Sequence, residues 1–143
     1  MELTIEQALQ QGVAAHNQGD LQKAERLYRA ILESQPTHPD ANHNLGVLAV
    51  SINQAEAALP LFKIALDANP KIEQFWLSYI DALIKENQIK NAKRAIKKAN
   101  KKGVSGDKLN ALSEMLNSET QAVNVSPANP PQQQLDGLLE QYQ

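Results

Sequence analysis

Four pairs of residues stand one interval apart: Gly12 and Gly46, Ala24 and Ala58, Tyr28 and Phe62, Pro36 and Pro70, each 34 positions from its mate. A chain that repeats its small, bulky and helix-stopping residues at this spacing is built from stacked copies of one supersecondary unit. A single unit of that size cannot bury its own apolar face. Ala92 and Ile96 continue the series, while Ile80 and Val104 replace the glycine and the proline. Gly19, Asn53 and Asn87 form a second register at the same interval, and Gly and Asn tolerate the left-handed backbone that ends a helix. Three repeats are expected, the third a modified terminal copy.

Within 143 residues, 42% are hydrophobic but only 4% aromatic, so the core must come from Leu, Ile, Val and Ala. That composition favours close helix packing. The formal net charge of −2 gives no reason to expect nucleic acid or membrane as a partner of the whole chain. There is no cysteine, hence no disulfide framework and no thiolate zinc site. Met1 to Gln10 has no basic region followed by an apolar run, and no apolar stretch approaches the length of a membrane span. A cytoplasmic protein is the expectation.

Apolar residues recur at steps of three and four, and period-two alternation is absent. First helices are expected near 5–18, 39–52 and 73–86, and second helices near 21–34, 55–68 and 89–102. Thr4 with Gln7, and Asn53 with Glu56, have the spacing of reciprocal caps, and Asp20 and Thr37 are expected to cap two more helices. The small residues are expected where helices approach closely, with Tyr28, Phe62 and Ile96 filling the space between hairpins. Pro36 and Pro70 stop the second helices; Pro60 is expected inside one, at the loss of a backbone hydrogen bond.

These residues resemble the tetratricopeptide repeat, whose pattern runs Trp, two residues, Leu-Gly, two residues, Tyr, then Ala, three residues, Phe, then Pro. Repeat one supplies Gly12, Ala24, Tyr28 and Pro36; repeat two Leu45, Gly46, Ala58, Phe62 and Pro70; repeat three Trp76 and Ala92. Ala15, Ala49 and Leu83 stand where the pattern has Tyr. The resemblance implies an all-α fold, a right-handed superhelix of three hairpins plus a capping helix. The repeats fall at about 5–38, 39–72 and 73–104 and the cap at about 106–117, making residues 1–117 one domain. More narrowly, AERLYRAILESQPTHPDANHNLGVLAV and FWLSYIDALIK are similar to repeat regions that precede catalytic domains in bacterial glycosyltransferase-like and sulfotransferase-like proteins.

In this family the first helices line a concave surface, which implies a partner-binding groove. Its inward positions fall on Leu9, Gln10, Val13 and Asn17, then His43, Asn44, Val47 and Ser51, then Leu77, Ser78, Asp81 and Lys85. Gln10, Asn44 and Ser78 occupy equivalent positions and carry neutral groups that hydrogen-bond a peptide backbone. The plainer reading is a solvated face. Repeat proteins that grip the carboxyl terminus of heat-shock chaperones place Lys, Asn and Arg at positions held here by Leu9, Val13, Asn44, Gln74 and Ser78. Four of these five fail the pattern, and the cations that would hold a carboxylate are missing.

Nothing in the sequence argues for an enzyme. His16, His38 and His43 make no two-ligand spacing with a convergent acid, so no metal is expected, and neither a phosphate loop nor a nucleophile turn is present, so no cofactor is expected either. Asp81 and Lys85, four apart, read as an ion pair rather than an acid and a base. From Lys90 to Lys108 eight cations face Asp107 alone. This basic helix, 89–102, reads first as a solvated outer face. An acidic partner is the alternative; nucleic acid is disfavoured because no aromatic is interleaved to stack bases.

Leu109, Leu112, Met115 and Leu116 make a stripe suited to covering the last hairpin. Residues 118–134 turn to Ser, Asn, Gln and Pro and read as a linker. Beyond them Leu135, Leu138, Leu139 and Tyr142 predict a short amphipathic helix over 135–143, the start of a further repeat or an element for self-association. A non-catalytic protein- or peptide-binding scaffold is therefore expected, with the arm of a larger transferase as the alternative.

Overall fold

The structure, a computed structural model, describes residues 3–125. Seven helices and no strand occur among them: α1 Ile5–Asn17, α2 Leu21–Ser34, α3 Pro39–Ser51, α4 Ala55–Ala68, α5 Glu73–Lys85, α6 Ile89–Lys101 and α7 Asp107–Val125. Helices α1, α3 and α5 each pair with the helix that follows, and the three hairpins stack in chain order. The all-α stack of three hairpins plus a further helix is thus the observed architecture.

The 34-residue register is visible in the backbone. Gly19, Asn53 and Asn87 all have positive φ, at 83°, 63° and 59°. The amides that follow them, of Asp20, Gln54 and Gln88, donate to the carbonyls of Ala15, Ala49 and Leu83 at 2.8 Å. One helix ends and the next begins within three residues because this turn satisfies the exposed carbonyls. Asn53 is spent on that turn, so the expected cap with Glu56 does not form: Gln54 holds the cap position and makes no side-chain bond. Nor does Thr37 cap α3; His38 does, its Nδ1 accepting from the Ala41 amide at 3.1 Å. The reciprocal cap of Thr4 with Gln7 forms, and Asp20 caps α2.

Gly12 and Gly46 are small for a definite reason. A Cβ on Gly12 would stand 2.5 Å from the Tyr28 ring, and one on Gly46 2.5 Å from the Phe62 ring. The aromatic therefore fills the gap within its own hairpin, not only between hairpins as the spacing predicted. Tyr28 is 1% exposed and shares a cluster with Leu45 and Leu48 of α3, so it also joins one repeat to the next. In repeat three the volumes are exchanged. Ile80 replaces the glycine and Ile96 the aromatic, and both are buried in one cluster.

A second pair repeats in register. Asn42 Nδ2 donates to the Pro36 carbonyl at 3.0 Å, and Trp76 Nε1 donates to the Pro70 carbonyl at 2.8 Å. Asn42 thus replaces the family's tryptophan by keeping its hydrogen bond rather than its bulk. Pro60 lies inside α4, which continues through it, and faces solvent. On that face water can satisfy the Glu56 carbonyl that loses its helical partner.

Helix α7 corrects the expected boundary at 117, running eight residues further into the stretch read as linker. No glycine or proline interrupts 107–125, so no residue in that stretch breaks the helix. Leu109 and Leu116 are buried in the cluster holding Ile80 and Ile96, with Leu112 and Met115 packed against it. The expected helix at Leu135, Leu138, Leu139 and Tyr142 lies outside the described residues.

Candidate functional site

Helix α3 packs against α1 on one side and α5 on the other, so the three first helices form one continuous layer. Across this layer the structure draws together the central residues of the expected groove. His43 of α3 and Ser78 of α5 approach to 2.8 Å through Nε2 and Oγ. His43 Nδ1 lies 3.2 Å from Asn44 Oδ1, and Gln74 Nε2 donates to Ser78 Oγ at 3.3 Å. Asn44 Oδ1 can only accept, so Nδ1 carries the proton and Nε2 accepts from the Ser78 hydroxyl. A single directed chain, Gln74 to Ser78 to His43 to Asn44, crosses from α5 to α3.

The histidine lies against two aromatic rings. Its ring lies 4.8 Å from the Phe75 ring and 5.6 Å from the Phe62 ring, between centroids, and the residue is 8% exposed. Burial pushes the His43 pKa down from its ordinary 6.5, opposed by the hydrogen bond to Asn44 and by the Asp40 carboxylate. The equivalent positions in repeats one and three are Leu9 and Leu77, which pack into the hydrophobic clusters. An apolar side chain thus fills this register in both sibling repeats. His43 is a polar exception at the centre of the layer.

The remaining predicted residues divide. Asp81 and Lys85 form the expected ion pair at 3.1 Å, both partly buried. Val47 packs against the cluster under α3 and α4, and the Ser51 hydroxyl turns back to the Leu48 carbonyl at 2.6 Å. Gln10, Val13 and Asn17 stand exposed on α1, and no hydrogen bond or ion pair among the described residues ties them to the α3–α5 chain. Leu9 and Leu77 belong to the packing between helices more than to an open surface. Gln74 and the rings of Phe62 and Phe75 are members that sequence reasoning did not place in the site. The available signal was the 34-residue comparison itself, in which a lone His between two Leu marks an unusual surround.

No group of three His, Asp or Glu side chains that could hold a metal occurs among the described residues. Nor is any helix there long and apolar enough to cross a membrane.

A tetratricopeptide repeat profile matches residues 9–71 and again 43–102, and the chain belongs to that family. Comparison with curated protein sequences gives no match. Among solved structures, the Sgt2 repeat domain of Aspergillus fumigatus is similar with a TM-score of 0.77 and 23% identity, over 88% of this chain and 85% of that one. The first repeat domain of Spaghetti (RPAP3), bound to the HSP90 peptide SRMEEVD, gives 0.73 and 12% identity, over 82% and 95%. The Yersinia enterocolitica type III secretion chaperone SycD, in complex with a peptide of the translocator YopD, gives 0.69 and 15%, over 89% and 97%. At these identities the likeness is one of fold.

Proposed function

We propose that this chain is a non-catalytic scaffold that binds an extended segment of a partner protein along the face of α1, α3 and α5. The hydrogen-bonded chain around His43 carries the reading. An amide, a hydroxyl and an imidazole stand in line there, the imidazole at a register that carries leucine in both sibling repeats. Buried polar chains of this kind cost desolvation unless satisfied, and their outer members, Gln74 and half-buried Asn44, keep capacity for a backbone amide or carbonyl. The fold neighbours SycD and RPAP3, each in complex with a peptide, support the same use of the architecture. A carboxylate-terminated chaperone tail is not the chemistry expected, since Leu9, Val13, Gln74 and Ser78 provide no cation.

The test is selection from a peptide library with the native chain, followed by affinity measurement on an Asn44→Ala, Ser78→Ala double variant. Peptides that depend on this face should lose about tenfold or more, as expected for two hydrogen bonds at roughly 1 kcal/mol each. Selected peptides that bind the variant equally well, or protect only α2, α4 and α6 from hydrogen exchange, would refute the reading. A narrower form, resting on the sequence resemblance alone, is the substrate-recognition or assembly arm of a larger glycosyltransferase-like or sulfotransferase-like enzyme. Its ligands would carry Ser or Thr, and a selection returning neither would sink it.

A further inference from the structure

A cleft of about 530 Å³ opens between α4 and α6, on the side of α5 away from His43 and Ser78. Its floor comes from α5, where Trp76, Tyr79 and Leu83 follow one another along a single face. Leu59 and Leu66 of α4 and Ala95 of α6 complete the apolar lining. Cations hold the rim: Arg94 and Lys98 of α6 and Lys102 at its C-cap stand at four-residue steps, with Lys63 opposite on α4. Asp67 is the one carboxylate in the lining. All four cations are exposed, and none enters an ion pair among the described residues.

The preceding repeat shows that the scaffold does not require this charge. Thirty-four residues before Arg94, Lys98 and Lys102 stand Pro60, Ile64 and Ala68. The residue equivalent to Lys63 is Arg29, which is neutralised by Glu25 at 3.0 Å; in the later repeat Leu59 replaces that glutamate. Three cations have been added and one neutralising acid removed at a single cleft. The basic stretch also separates here into two faces, because Lys97 and Lys101 do not line the cleft.

We infer that this cleft is a second docking site, for an acidic amphipathic helix of a partner protein. Charge complementarity fixes the occupant's sign. The thirteen residues of α6 extend about 20 Å, so the trough accommodates roughly three turns of a helix lying alongside. Acids at i and i+4 on such a helix would meet Arg94 and Lys98 at the same rise, while its leucines rest on Leu59 and Tyr79. Nucleic acid is a poorer fit: of the two aromatic rings in the lining Trp76 is 3% exposed, which leaves half-buried Tyr79 alone for a base to stack on.

The probe is a fluorescein-labelled peptide with leucines at i, i+3, i+4 and i+7 and glutamates at i+1 and i+5, compared with a twin carrying lysines in place of the glutamates. Trp76, the single tryptophan, is a built-in reporter beneath the cleft. The acidic peptide should bind and shift Trp76 emission, and its lysine twin should not. Arg94→Glu with Lys98→Glu should lower affinity about tenfold or more, whereas Lys97→Glu with Lys101→Glu, an equal change of net charge, should change it less than about threefold. The Asn44→Ala, Ser78→Ala variant should bind as the native chain does, which separates this site from the proposed groove. Equal losses in both charge-reversed variants would overturn the inference in favour of diffuse attraction. Displacement of the peptide by a single-stranded RNA would overturn it in favour of nucleic acid. A rise in affinity on removing residues 132–143 would make the chain's own end the occupant and overturn it as well.

Discussion

His43 shows how much one substitution in a repeated position can carry. Its folded pKa is depressed by burial, so as pH falls below about 6.5 the unfolded chain takes up a proton that the folded chain resists. Stability is therefore full above that value and declines as pH drops toward the folded pKa. Protonation at Nε2 also reverses the bond with Ser78, which must then accept. Chemical denaturation across this range should give a shallower stability slope for His43→Leu, the residue of the sibling repeats, than for the native chain; identical slopes would remove His43 from the account. At the glycines the constraint is steric. Gly46→Ala puts a methyl group into the Phe62 ring, which is 1% exposed and has nowhere to move, so an overpacking loss of about 1–3 kcal/mol is expected in urea melts. Asn53→Ala forces alanine to φ near 63° and should cost about 1–2 kcal/mol by the same measurement.

Among the elements, the turns are the most legible and the caps the least. A Gly or Asn every 34 residues announces a left-handed turn, and the backbone has one at each place. Caps depend on which of several neighbouring polar residues reaches the free amides, and that choice passes to His38 over Thr37 only when the chain is folded. Helix α7 is the element on which the last hairpin relies. Leu109 is 1% exposed against the third repeat's core, so Leu109→Ala should cost about 2–5 kcal/mol and raise binding of a hydrophobic dye. A change below about 0.5 kcal/mol in equilibrium unfolding would mean that α7 is not a cover.

At the scale of the whole molecule, the 34-residue interval determined most of what the chain becomes. It dictated helical hairpins, their number, their order and the recurrence of the small residues Gly12 and Gly46 and the aromatics Tyr28 and Phe62. Those features are local or lie one repeat apart, so spacing along the chain encodes them directly. Stacking decided the rest. It brought Ser78 against His43 from the neighbouring repeat and set His43 between Phe62 and Phe75. It also turned Arg94, Lys98 and Lys102 toward α4 while leaving Lys97 and Lys101 out of the cleft. Sequence periodicity states which residues share a helix face, but not what the next helix presents to that face; the partner side chain, and with it burial, hydrogen bonding and pKa, exists only once the hairpins are packed.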